Sequence, residues 1–156
     1  TNINIIQNMN PYFTRDINVG TNTFIEALQK ELGVTYEEAQ MIIKGNLENM
    51  DEERIKSIFT AKAADLSLGI ERSISYLKAA GDSDRIDRVV LSGGGARIPF
   101  LKDILSEKHN IEFSVLNPLM GVDYEEGVFA EYEDNIEEIA PLLTVSVGLA
   151  LRKAKK

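Results

Sequence analysis

The sequence predicts an α/β fold, and three observations lead to that prediction. Alternating β-branched residues near the start predict a hairpin, and an apolar stripe over residues 55–77 predicts one long helix. Residues 88–116 have the pattern of a strand, a glycine loop, a helix and a second strand. Because parallel strands need a crossover connection of this kind, that unit predicts two parallel strands. We therefore expect a mixed sheet flanked by helices.

The first predicted elements are a hairpin and a helix. Residues 1–6 and 12–19 are rich in β-branched residues that nearly alternate with polar ones, and turn-forming residues separate the two runs. Gly20 ends this hairpin. In residues 22–32 the apolar side chains recur at helical spacing and Gly33 follows, so we predict a helix that ends at this glycine.

Two further helices are predicted next. Thr35 and, three residues later, Glu38 form the pattern of a capping box, which predicts the start of a short second helix. Acidic residues occupy positions 51–53, where the dipole of a helix favours them, and the apolar stripe begins just after them. We predict one long helix that ends near Gly81, with Gly69 inside it as a point of close packing or bending.

The crossover unit contains the most informative loop of the chain. Residues 88–91 form a short apolar strand, residues 92–96 are Ser-Gly-Gly-Gly-Ala, and residues 99–108 predict a helix with a proline at its start. Residues 111–116 predict the second strand. His109, the single histidine, lies at the end of the predicted helix, and a surface role is favoured over metal ligation for it.

The rest of the chain is acidic and then helical. Residues 123–138 contain many acidic residues and no basic one, which predicts a solvated loop or lid. This run could offer oxygen ligands to Mg²⁺, but it lacks the spacing of a calcium loop, so solvation is the favoured interpretation. Pro141 predicts the start of a final helix, which ends in basic residues over 152–156.

Composition excludes several classes of function. The chain has 156 residues and no cysteine, which rules out disulfides, thiolate catalysis and cysteine-based zinc sites. One histidine leaves no His-rich metal cluster. Basic residues number 17 against 25 acidic ones, and the resulting formal net charge of −8 disfavours nucleic-acid binding. No apolar run approaches the roughly 20 residues of a membrane span.

Three consecutive glycines, Gly93, Gly94 and Gly95, form the strongest candidate site. Without Cβ atoms they allow positive φ angles and let a flat or phosphorylated ligand approach the backbone, and the predicted helix N-terminus beyond them favours anions. Ile98 stands where a dinucleotide fingerprint requires its third glycine, and neither a P-loop nor a nucleophile elbow is present. A plain strand-to-helix turn is the alternative interpretation, although one glycine usually suffices for it.

Gln40 and Lys44 form a second candidate. They lie one helical turn apart, so both side chains can face the same ligand. The pair alone does not distinguish a binding site from an ordinary solvated helix face, and the latter is the favoured interpretation.

Several segments together resemble the PilM family, the actin-like proteins of type IV pilus assembly. The resemblance is carried by Tyr-Phe-Thr-Arg-Asp-Ile at 12–17, Glu-Glu-Ala-Gln at 37–40, Leu-Ser-Gly-Gly-Gly-Ala at 91–96 and Val-Gly-Leu-Ala-Leu-Arg at 147–152. The long helix around 68–77 is also similar to the family's core helix. These matches cover nearly the whole chain in the family's order. The glycine loop alone is shared across actin-like ATPases, including the division protein FtsA.

The resemblance implies a lobe of the actin-like, ribonuclease H-like fold. Residues 1–21 and 65–156 would form a sheet-and-helix subdomain of the second lobe, and residues 22–64 a small inserted subdomain. We expect the chain to be a C-terminal fragment that lacks the first lobe and the phosphate loops. A strand would then be missing between the hairpin and residues 88–91, so we also expect poor stability alone or self-association through the open edge.

The resemblance also implies a function. The residues that would line the adenosine side of an ATP cleft are Gly93, Gly94, Gly95, Ala96 and Arg97, with Gln40 and Lys44 approaching the ribose and adenine. ATP with Mg²⁺ is the implied ligand. The phosphate and metal groups would lie outside this chain, so we assign no catalytic or metal-binding residue and expect no turnover.

The implied partners follow from the same resemblance. They are a PilN-like inner-membrane pilus protein, held by the missing lobe, and other pilus assembly proteins, with self-association as a further expectation and no nucleic acid. The implied location is cytoplasmic, peripheral to the inner membrane through these partners.

Two departures from the family pattern keep alternatives open. Gln40 stands where the family has an acidic residue, and Lys44 lies one position later than the family's lysine. A neutral amide binds a ribose hydroxyl more weakly than a carboxylate does, which supports a structural interaction module without nucleotide binding. An FtsA-like division protein is the other alternative. Such proteins carry a C-terminal amphipathic membrane helix, whereas this sequence has a short basic run there.

Overall fold

The computed structural model describes residues 1–81, 85–125, 127–129 and 136–152. In chain order the strands and helices are β1 Asn2–Gln7, β2 Asn10–Asp16, α1 Thr21–Leu32, α2 Tyr36–Ile43, α3 Glu52–Ala79, β3 Val89–Leu91, α4 Leu101–His109, β4 Phe113–Val115, α5 Ile136–Ile139 and α6 Thr144–Ala150. Gly94–Arg97 and Ala140–Leu143 form 3-10 turns. The predicted α/β class is confirmed. Most of the predicted basic end and part of the predicted acidic loop lie outside the described residues.

The strands form two separate two-stranded sheets in the described part of the chain. β1 and β2 pair antiparallel, with Asn2 opposite Asp16, which confirms the predicted hairpin. β3 and β4 pair in parallel, with Val89 opposite Phe113, which confirms the crossover. No ladder of hydrogen bonds joins the hairpin to the parallel pair among the described residues, so these residues do not form one continuous mixed sheet. A strand missing between the hairpin and residues 88–91, as expected from the sequence, would leave such a gap.

The predicted end of α1 and the predicted start of α2 are both confirmed. Gly33 ends α1 in the left-handed conformation, with φ at 71°. The backbone N–H of Thr35 donates to Oε2 of Glu38 at 2.8 Å, and the N–H of Glu38 donates to Oγ1 of Thr35 at 3.2 Å. These two bonds satisfy the free donors at the start of α2. The hydrogen bonds from the Thr35 backbone and hydroxyl lower the pKa of Glu38 because they stabilise its carboxylate.

α3 is one continuous helix of 28 residues, as the apolar stripe predicted. Asp51 precedes it, and its Oδ1 accepts a hydrogen bond from the backbone N–H of Arg54 at 3.0 Å. Gly69 is buried in the middle of the helix. A Cβ atom placed there would overlap Cδ1 of Ile17 and lie 2.9 Å from its Cγ1. Gly69 therefore lets α3 pack closely against the segment between β2 and α1.

One hydrophobic core connects the helices with the parallel strands. Phe24 of α1 and Phe59 of α3 are both buried and meet edge to face, with ring centroids 5.6 Å apart. The same cluster includes Ile42 of α2 and Phe113 of β4. The predicted boundary at residue 64 falls inside α3, which therefore runs through both predicted subdomains. The division into subdomains stays a prediction.

His109 is half-buried at the end of α4, so it lies deeper than a purely surface role would place it. Its Nε2 lies 3.2 Å from Oγ of Ser67 on α3, and its ring stacks on Phe113 with centroids 6.0 Å apart. Burial lowers the pKa of His109 because it disfavours the imidazolium; the carboxylate of Glu71 opposes this and Lys108 adds to it. The contact between α3 and α4 thus favours the neutral ring.

The starts of the last two major helices differ from the prediction. α4 begins at Leu101, after Phe100 has taken a left-handed conformation with φ at 63°, so Pro99 precedes the helix and does not open it. α6 begins at Thr144, and Pro141 lies in the preceding 3-10 turn. The fixed φ of proline suits a 3-10 turn as well as an α-helix, so the residue type alone does not set the helix start.

Candidate functional site

The glycine loop turns sharply at the end of β3. Gly93 has φ at 79°, a conformation that favours glycine, and its backbone N–H donates to the carbonyl of Pro141 at 2.9 Å. The 3-10 turn Gly94–Arg97 follows, closed by a hydrogen bond from Ala96 N–H to the Gly93 carbonyl at 3.1 Å. The expectation that the N-terminus of an α-helix directly follows the glycines is therefore wrong, since α4 begins only at Leu101.

The face of the loop is open. Cβ atoms placed at Gly93 and Gly95 would have no described heavy atom within 4 Å, leaving out their chain neighbours, and one at Gly94 would lie 3.7 Å from Cδ2 of Leu142. Among the described residues, none accepts a hydrogen bond from the backbone N–H of Gly94 or Gly95. The first N–H groups of a helical turn usually lack a partner within the turn. The loop can therefore present free donors and a flat backbone to a ligand.

Arg97 ends the 3-10 turn and forms an ion pair. Its Nη2 donates to Oε2 of Glu138 on α5 at 3.0 Å. The Arg97 side chain is 20% exposed and that of Glu138 is 55% exposed. The guanidinium is thus held beside the loop by a carboxylate that solvent still reaches.

The segment from Glu138 to Leu142 contacts the loop at three points. The contacts are the Glu138 carboxylate on Arg97, the Pro141 carbonyl on Gly93 and the Leu142 side chain over Gly94. The acidic run predicts a solvated loop up to residue 138, with no indication that Glu138 belongs to the site. No local signal could have done so, because the pair is 41 residues apart in the chain.

Gln40 and Lys44 lie on and directly after α2. Gln40 Nε2 donates to Oη of Tyr36 at 3.1 Å, and Lys44 is exposed as the residue that ends the helix. No described hydrogen bond or ion pair joins either side chain to the glycine loop. The structure thus forms Gly93, Gly94, Gly95, Ala96 and Arg97 into one continuous turn, and it places Gln40 and Lys44 on a separate element.

The described residues contain no group of three or more histidine, cysteine or acidic side chains that could hold a metal ion. Two shallow hollows, each of about 230 Å³, are both lined by Asn49 and Met50, which lie in the loop between α2 and α3. The glycine loop lines neither hollow. Within the described residues, none of the helices has the length and apolar character that a membrane crossing requires.

Comparisons with known proteins agree with one another. A family model described as "Type IV pilus assembly protein PilM" matches residues 1–154. Among solved structures, the chain is similar to one titled "PilM-PilN type IV pilus biogenesis complex", with a TM-score of 0.75 and 20% sequence identity. That match covers 99% of this chain and 43% of the other, so this chain spans less than half the length of its structural relative.

Proposed function

Because the chain belongs to the family of the type IV pilus assembly protein PilM, we propose that it acts in type IV pilus assembly and supplies the adenosine side of an ATP site. The fold proposed for it is one lobe of an actin-like, ribonuclease H-like protein. The likeness to a PilM–PilN complex over nearly all of this chain supports that architecture.

The open glycine loop is the observation that carries the proposed ATP site. A purine or ribose needs a surface free of side chains, and Gly93 and Gly95 offer one with no described side chain over them. No described residue accepts a hydrogen bond from the backbone N–H groups of Gly94 and Gly95, so both can donate to ligand oxygens. Arg97 adds a cation at the end of the same turn, where it suits the α-phosphate.

Gln40 and Lys44 are proposed to approach the ribose and adenine from α2. The Gln40 amide can donate to and accept from a ribose hydroxyl, and Lys44 offers three donors at an exposed position. In this proposal the ligand itself bridges α2 and the glycine loop, which no described hydrogen bond or ion pair of these two side chains connects. An ATP that touches both would favour a closed arrangement and shift its population, because only that arrangement offers both sets of contacts.

The chain is proposed to bind nucleotide without turnover. ATP binding in the intact protein would involve Mg²⁺, which neutralises charge on the phosphates. The family resemblance assigns the phosphate loops and metal-orienting groups to a part of the fold outside these 156 residues. The residues of this chain would therefore bind and orient the nucleoside end of ATP only.

A PilN-like protein is the proposed partner. The structural relative is titled as a complex of PilM with PilN, and this chain shares its fold. We place the intact protein in the cytoplasm, held at the inner membrane through that partner. The partner would be held by the lobe that this chain does not span, so this proposal predicts no PilN contact for the 156 residues alone.

Isothermal titration of ATP with Mg²⁺ into the chain tests the proposed site. We expect wild-type binding and a loss of affinity of at least about tenfold in Gly95→Val, because the new side chain fills the open face of the loop. Gly148→Val is the matched control, since Gly148 on α6 also faces open space. Absence of ATP binding by the wild type, or equal affinity in all three proteins, would contradict the proposal. Phosphate release in the same samples checks for turnover.

The structural interaction module stays the second candidate. The observation in its favour is the neutral Gln40 at the position where the family has an acidic residue, with its amide engaged by Tyr36. The two candidates differ in the titration described above, because only the first one predicts heat on addition of ATP.

A further inference from the structure

We propose that Glu138 is a positioning residue that holds Arg97 and that an anionic nucleotide must displace it to reach the Arg97 guanidinium. This inference rests on the proposed ATP site and adds a residue that sets its affinity. It concerns residues Glu138–Leu142, which pack directly against the glycine loop.

Arg97 would have two acidic partners, the Glu138 carboxylate and the proposed nucleotide. Arg97 is the last residue of the turn that begins at Gly94, so its side chain starts at the proposed nucleotide site. The Glu138 carboxylate already engages Nη2 at 3.0 Å. Because most of the Arg97 side chain is buried and that of Glu138 is more than half exposed, the glutamate is the partner free to swing away.

Carboxylate and phosphate compete for the same donors. Both accept hydrogen bonds from the planar fork of a guanidinium, and the triphosphate of ATP as a whole carries more negative charge than one carboxylate. With Glu138 in place, a phosphate approaching Arg97 meets a carboxylate of the same sign, which weakens its binding. An uncharged nucleoside meets no such opposition. The proposal therefore predicts that Glu138 weakens the binding of ATP and leaves adenosine unaffected.

The effect of Glu138 on ATP binding implies an equal effect of ATP on the segment Glu138–Leu142. If the segment from Glu138 to Leu142 weakens ATP binding, ATP must loosen that segment by the same factor, because the two share one coupling free energy. The bond from Gly93 N–H to the Pro141 carbonyl reports on this loosening, since it joins the same segment, Glu138–Leu142, to the glycine loop. The segment leads directly into α6, so loosening by ATP would extend to the final helix.

Titrations of ATP and of adenosine into four forms of the full chain test the proposal. The variants are Glu138→Gln, which removes the charge, Glu138→Asp, which keeps it, and Glu137→Gln, which removes one charge from the exposed neighbour on the same helix. We expect Glu138→Gln to bind ATP about twofold to fivefold more tightly, as for a partly exposed ion pair. The affinity for adenosine should be the same in all four forms. The ATP affinity of Glu137→Gln should match that of the wild type, and that of Glu138→Asp should lie between those of Glu138→Gln and the wild type.

Hydrogen exchange provides the second readout. Saturating ATP should speed exchange at the Gly93 amide and across Ile136–Leu143 in the wild type, and Glu138→Gln should show fast exchange without ligand. Suppose that the wild type binds ATP, but that Glu138→Gln binds ATP with the same affinity or gains as much affinity for adenosine as for ATP. The proposed role of Glu138 would then be wrong, whereas the ATP site would stand. If neither protein binds ATP, the proposed site and this inference fail together.

Discussion

The side chain of Ile17 accounts for the glycine at position 69, because it leaves no space for a Cβ atom there. Glycine inside an exposed helix costs about 1 kcal/mol relative to alanine, so an alanine there would ordinarily stabilise α3. Here the space that a Cβ atom needs is occupied by Ile17. The sequence predicted that Gly69 marks either close packing or a bend, and the Ile17 side chain at the position of a Cβ atom identifies it as a point of close packing.

Gly69→Ala is expected to destabilise the fold. Overpacking of this kind costs about 1–3 kcal/mol, which outweighs the gain in helix propensity. Unfolding in urea measures the change. Ile17→Ala is the second arm of a double-mutant cycle, since it empties the space that the new methyl group needs. The double variant should lose less stability than the sum of the losses in the two single variants. Additive losses, or a stabilised Gly69→Ala protein, would contradict the proposed contact.

The elements of the chain were predictable to different degrees. α2 begins where its capping box predicts, and α1 ends where its glycine predicts, because both signals act within one helical turn. α4 and α6 begin later than their prolines suggest. In these two places 3-10 or left-handed geometry precedes the helix, and the fixed φ of a proline does not distinguish these conformations from the first turn of an α-helix.

The contact between α3 and α4 predicts a pH dependence of stability. The pKa of His109 is lowered in the folded protein by burial, whereas the unfolded chain has the ordinary value of about 6.5. Between those two values the unfolded state binds more protons, so the free energy of unfolding rises with pH there. The contribution is present above about pH 6.5 and is lost as the pH falls through the lowered pKa of the folded state.

Chemical unfolding at pH 7.5 and at pH 5 measures this dependence. We expect the wild type to lose more stability on acidification than His109→Gln, because glutamine can still bond Ser67 Oγ but does not titrate. His109→Gln also controls for all other groups that titrate in this range. Equal losses in the two proteins would show that His109 does not contribute to the pH dependence.

The whole molecule combines a continuous core with exposed apolar surface. Buried side chains from α1, α2, α3, α4 and β4 form a single cluster, and the partly buried Val89 and Leu91 of β3 pack against it. By contrast, α6 exposes Val145 by 72% and Leu149 by 63%. Each of the two sheets has only two strands among the described residues, so each leaves strand edges without a described partner. Exposed apolar side chains and open edges both favour association.

Self-association of the 156 residues is therefore the prediction at this scale. Sedimentation should show a mass that rises with protein concentration. The double variant Val145→Glu with Leu149→Glu should reduce this association, because it places two charges on the apolar face of α6. Ser146→Glu with Ala150→Glu is the matched control, since both positions are exposed on the same helix. A monomeric wild type at every concentration would rule the prediction out.

The sequence alone determined the local features of this protein. The hairpin, the capping box, the long α3, the parallel crossover and the glycine loop all follow from spacing and from residues with strong backbone preferences, which act over a few neighbours. Only the tertiary structure decided which distant groups meet. Arg97 with Glu138, His109 with Ser67 and Gly69 with Ile17 each depend on how separate elements pack, and short-range preferences carry no information about such packing.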